Sequence, residues 1–223
     1  MQTLMYHFEF SDGSTTAFSS QPATAEASPT ELPAWTELGF HQCANCPLSI
    51  TTTSHCPMAV QLVKLVSVFS KRQSYDTVTV RVESNERTVT KATTVQRATG
   101  SLMGLLSASS DCPRVDFLKP MVHFHLPFSS EEETIYRVTS MYLLAQYFIH
   151  RQNKTPDWEL KNLKNYYLEL QGVNAAMAKR LRAISEKDGT VNALVLLDLL
   201  AKTLPFSIDE ALEELQPVFE KYL

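Results

Sequence analysis

The sequence predicts an α+β fold with antiparallel β-hairpins and a helix toward the N-terminus and a helical bundle at the C-terminus. Three patterns predict it. Short alternating segments separated by turn residues occupy the first half. A heptad-spaced apolar row runs from Leu160 to Ile184. Helix-start signatures recur after residue 128. The organisation follows as a mixed α/β part over 1–128 and an all-helical part over 129–223, either as two units or packed as one domain.

Leu4, Tyr6, Phe8 and Phe10 alternate with more polar neighbours, so this segment reads as a half-buried strand. Asp12-Gly13 is a hairpin turn signal that returns the chain over Thr15 to Phe18. Ser19 to Pro33 is rich in Ser, Thr, Ala and Pro without a period, which reads as a loop. Trp35 to Phe40 reads as a short strand. Pro57 suits a first helical position, and Leu62, Leu65, Val66 and Phe69 share the face of the helix it opens. Val78, Val80 and Val82 alternate before a second hairpin, and Val95 to Leu106 reads as a helix.

In the second half, Ser129 with Glu132, or Ser130 with Glu133, forms a capping box. Thr155-Pro156 is expected to open the next helix. Its seam is Leu160, Leu163, Tyr167, Leu170, Asn174, Met177, Leu181 and Ile184, a spacing shared by coiled coils and by the interior of bundles. Gly172 weakens that helix by about 1 kcal/mol relative to alanine. Asp188-Gly189 is expected to end it. Val191 to Leu204 is apolar nearly all round and reads as a buried central helix; Asp198 within it is expected to cap a neighbouring backbone or meet an arginine, Arg180 or Arg182, with a perturbed buried acid as the alternative.

Composition narrows the function. The chain has 223 residues, 44% hydrophobic and 20% charged, which suits a packed globular protein. A net charge of −4 offers no basic footprint, so no nucleic acid is expected. No apolar run reaches membrane-spanning length, so no membrane is expected. His7, Glu9 and Asp12 stand where a signal peptide needs an apolar stretch, and a cytoplasmic location is the expectation. With six glycines the chain has no GxGxxG, GxSxG or HExxH motif, which lowers the nucleotide-binding and hydrolase classes.

The chemically specific feature is four cysteines. Cys43 and Cys46 have the two-residue spacing that lets one turn present two thiolates to a single ion. Cys56 follows in the same segment, and Cys112 joins only if the fold brings it near. In a reducing compartment such a set favours a metal over disulfides. Zinc comes first on spacing. An iron–sulfur cluster takes the same ligands, and the prolines after Cys46, Cys56 and Cys112 keep it in play. Free thiols, redox-capable or buried, are the third possibility. His41 and His55 are secondary ligand candidates, as are His123 and His125, which a strand would point to one side.

The segments QCANCPL, SHCPMA, SSDCPRVDFLKPM and HFHLPF, with ETIYRVTSMYLLAQYF, resemble an uncharacterised bacterial protein family with a cysteine-rich centre. That resemblance implies no activity. The residues point to a metal-stabilised binding or regulatory protein without catalysis, with the helical part offering a surface for self-association or a protein partner. A metal- or thiol-dependent enzyme and an iron–sulfur redox or sensor protein are the alternatives.

Overall fold

The computed structural model describes residues 3–20 and 32–223. The fold is α+β, as the patterning predicts. Strands β1 (Met5–Phe10), β2 (Thr15–Ser19), β3 (Thr77–Glu83) and β4 (Thr88–Thr94) form one antiparallel sheet in the order β2-β1-β3-β4. Its alternation is one-sided. Tyr6, Phe8, Phe10, Phe18, Val78, Val80 and Val82 are buried on one face, while Glu9, Thr79 and Arg81 are exposed on the other. Tyr6 pairs with Val82 and Phe8 with Val80, which sets both apolar rows in register.

Helices α1 (Pro57–Phe69) and α2 (Val95–Ser109) follow, and α1 lays Phe69 on the sheet, its ring 5.0 Å from that of Phe8. Pro57 stands at the first position of α1 with Cys56 as its N-cap. A 3-10 turn, Pro113–Leu118, leads into the short α3 (Lys119–His123). Helix α4 (Glu131–Arg151) opens with the Ser130/Glu133 capping box complete in both directions. Helices α5 (Lys161–Ile184) and α6 (Gly189–Leu215) complete the helical layer. One continuous core joins Tyr6, Leu62 and Leu102 to Leu163, Leu181 and Leu194, so it crosses residue 128 without a break.

Several local expectations are corrected. Trp35 to Phe40 is not a strand: Ala34–Thr36 is a 3-10 turn, and only Glu37 makes a bridge, to His55. Thr155-Pro156 does not open α5. The helix starts at Lys161, after Leu160 in a left-handed conformation, and the Asp157 carboxylate caps it by accepting from the Lys161 and Asn162 amides at 3.2 and 2.8 Å.

Asp188-Gly189 begins α6 rather than ending α5. Asp188 accepts from Ser74 through its amide (2.8 Å) and hydroxyl (2.9 Å) and from Asn192 (2.8 Å). A Cβ on Gly189 would stand 2.7 Å from the Arg72 carbonyl oxygen, so only glycine allows this approach. Helix α6 is not buried all round: Val195, Leu196 and Leu199 are exposed. Asp198 pairs with Lys202 one turn along, at 2.6 Å, not with Arg180 or Arg182. The heptad seam is consumed inside the chain, with Leu163, Tyr167, Leu170, Asn174, Met177 and Leu181 all buried. Among the described residues no single helix is long and apolar enough to cross a membrane.

Candidate thiol site

The site is a loop tied at its base and clasped at its tip. At the base, the Leu38 amide donates to the Ser54 carbonyl (2.8 Å) and the Cys56 amide to the Thr36 carbonyl (2.7 Å). Within the loop, the Cys46 amide donates to the Cys43 carbonyl at 3.1 Å, closing the turn that carries both thiols.

The tip reaches the helical layer through Asn45. Its side-chain amide donates to the Glu169 carbonyl on α5 at 2.9 Å. The Arg114 guanidinium donates to the Asn45 carbonyl at 2.7 Å and to the Glu169 carboxylate at 2.6 Å. Arg114 lies two residues after Cys112, so this clasp draws Cys112 toward the Cys43–Cys46 turn. Gly172 has its reason here. A Cβ at that position would stand 3.1 Å from Asn45 Oδ1, so the glycine lets the loop settle on α5. Helix α5 runs through it unbroken.

All four cysteines are free; Cys56 and Cys112 are buried, Cys43 and Cys46 half-buried. Cys56 and Cys112 occupy equivalent places, each the N-cap of a helical segment with proline next. Burial pushes the Cys43 thiol up to about 11, and the neighbouring thiols of Cys56, Cys46 and Cys112 push the same way. The Cys112 thiol is also raised, first by burial and then, against opposing backbone hydrogen bonds, by Cys56 and Cys46. The fold therefore brings the four sequence-predicted thiols within electrostatic reach of one another. Among the described residues, no three His, Cys, Asp or Glu side chains meet closely enough to hold a metal ion.

A residue that the sequence reading assigned elsewhere sits beside them. Arg180, on α5, is 2% exposed. It donates to the carbonyls of Trp35 (2.6 Å), Glu37 (2.8 Å) and Leu38 (3.0 Å), so it organises the segment that leads into the loop. No carboxylate pairs with it among the described residues. Burial pushes its pKa down, and the thiols of Cys56, Cys43 and Cys46 oppose that shift. Its trace in the sequence is its place three residues after Met177 and next to Leu181, on the buried side of the seam.

The histidines stand apart. His55 Nδ1 lies 2.8 Å from Thr36 Oγ1, at the base of the loop. His41 is exposed, against the Phe40 ring. The strand expected for His123 and His125 does not form: Pro120 lies in the first turn of α3, His123 ends that helix exposed, and His125 follows in the turn. His125 Nε2 lies 2.5 Å from the Tyr6 hydroxyl, which also meets Ser101 Oγ at 3.0 Å. Burial, with Arg137 adding to it, pushes His125 down to about 4, so the imidazole is neutral.

A family model described as a domain of unknown function (DUF6901) matches residues 4–220, and the chain belongs to that family. No curated protein and no solved structure matches it.

Proposed function

We propose that this member of the DUF6901 family is a binding or regulatory protein without catalysis, stabilised by a metal held on Cys43, Cys46, Cys56 and Cys112 as thiolates. The observation that carries the reading is Arg180. A buried charge without a counter-charge is costly, and here the groups able to become anionic beside it are thiols. The Cys43 and Cys112 thiols, whose pKa values are raised, are neutral near pH 7. A bound metal removes their protons and turns the set into an anionic shell that balances the guanidinium. Reduced thiols also suit a cytoplasmic protein.

Zinc is the first reading on ligand type and spacing. An iron–sulfur cluster is the second reading, because it takes the same thiolate ligands and prolines follow Cys46, Cys56 and Cys112. Helix α4 supports the partner reading, because Tyr136, Leu144, Tyr147 and Phe148 are exposed along it.

The test is assay of zinc, iron and acid-labile sulfide in protein purified without oxygen, followed by chelation. Zinc near one per chain, or iron with matching sulfide and visible absorption, is expected, with loss of cooperative melting once the metal is stripped. Metal-free protein that takes up neither and melts unchanged after chelation overturns the reading.

A further inference from the structure

A second feature involves none of the four cysteines directly. A cavity of about 820 Å³ opens between α2, α4, α5 and α6. Its size falls in the range of small-molecule sites, roughly 300–1,000 Å³. Much of its wall is apolar, with Leu105, Val115, Leu118, Leu170, Leu196 and Leu199 among the lining residues.

The polar groups in the wall are unevenly satisfied. Ser107 and Asn174 both line the cavity and both are more than nine-tenths buried, yet among the described residues Ser107 Oγ and Asn174 Nδ2 have no hydrogen-bond partner. Both atoms can donate, and an unpaired buried donor is unfavourable until an acceptor arrives.

Arg137 adds a charge. Its Nη2 donates to the carbonyls of Met121 (3.3 Å) and Phe124 (2.8 Å), and no carboxylate pairs with it among the described residues. Glu133, one turn earlier on α4, is occupied as the capping partner of Ser130. Lys91, Arg97, Glu131 and Glu133 also line the cavity. His125 lines it as a neutral ring held by Tyr6.

We propose that this cavity binds a small amphipathic carboxylic acid, with its carboxylate on Arg137 and its apolar body among the leucines. The planar guanidinium fork matches a carboxylate. The unpaired donors of Ser107 and Asn174 suit an oxygen carried on the body of the ligand. None of the four cysteines lines the cavity, so acid binding and metal binding are read by separate measurements and either reading can fail alone.

The full-length protein, with its thiols as isolated, is titrated with dansyl-undecanoic acid and followed by fluorescence. Saturable binding near one per chain is expected, displaced by dodecanoate and at least about tenfold less effectively by dodecanol, which lacks the charge. Arg137→Gln weakens binding of the acid by about tenfold or more, while Arg137→Lys, which keeps the charge but loses the fork, weakens it less. Leu196→Trp changes a residue with an exposed side chain, so it narrows the cavity without disturbing the core, and it reduces binding in protein whose melting temperature and helicity match the parent. Absence of saturable binding, equal displacement by the acid and the alcohol, or an unaffected Arg137→Gln variant overturns the proposal.

Discussion

Arg180→Met tests the frame of the thiol site most directly. The variant keeps a long flexible side chain and removes the charge and three hydrogen bonds, at 2.6, 2.8 and 3.0 Å. The Glu37 carbonyl retains the Phe40 amide as a donor, at 3.1 Å. The Trp35 and Leu38 carbonyls are left without a bonded donor. Two orphaned buried acceptors cost about 1–3 kcal/mol each. Removing a desolvated guanidinium returns part of that, so a net loss of about 3 kcal/mol is expected. For a chain of this size that is a fall in melting temperature of roughly 6–12 °C. Thermal and urea unfolding of parent and variant, before and after chelation, give the number. The deficit is larger before chelation if the guanidinium balances metal-bound thiolates. A loss below about 1 kcal/mol with unchanged metal content refutes the argument, because three carbonyls and a counter-charge cannot all be idle.

Three further outcomes are expected. Gly172→Ala gains about 1 kcal/mol of helix propensity but sets a Cβ 3.1 Å from Asn45 Oδ1, so stability to urea changes little while metal retention against a chelator falls. Asp188→Ala leaves Ser74 and Asn192 without their shared acceptor, and the urea midpoint falls by the equivalent of about 2–3 kcal/mol. His125 is held near 4 in the folded protein against 6.5 ordinarily, so between those values the unfolded chain takes up the proton that the native state refuses. Stability therefore falls as pH drops through that window, by at most about 3 kcal/mol. In pH-dependent unfolding His125→Gln should lose that part of the slope, and an unchanged slope would contradict it.

What could be read from the sequence was local. Asp12-Gly13, Pro57 and Ser130/Glu133 act within one turn of where they stand, so hairpin, helix start and capping box are found where expected. What could not be read depends on a distant partner. Trp35 to Phe40 has strand-like composition, but Arg180 gathers three of its carbonyls from far along the chain, and tertiary hydrogen bonding overrides propensity there. Asp157 caps α5 across Leu160, a residue in a conformation that nothing in its identity announces. Cys43 and Cys46 could be paired from spacing alone. The nearness of Cys112 depends on Arg114 reaching Asn45 and Glu169, which no spacing rule contains.

The thiol site and the cavity share structural members, and this has a consequence for both. Gly172 receives the cysteine loop through Asn45, and two residues along the same helix Asn174 lines the cavity. The 3-10 turn that Cys112 caps carries Val115 and Leu118 into the cavity wall. A metal that tightens the loop onto α5 also fixes that wall, and a ligand that orders the wall restrains the N-cap of the turn. Coupling between two binding events is reciprocal. If the thiols hold the proposed metal, stripping it should therefore weaken the uptake of dansyl-undecanoic acid, and saturating acid should slow metal loss to a chelator by the same free energy. The two measurements must agree in sign and size. If each is unaffected by the other, α5 and the turn serve the two sites as a rigid shared scaffold that transmits nothing between them.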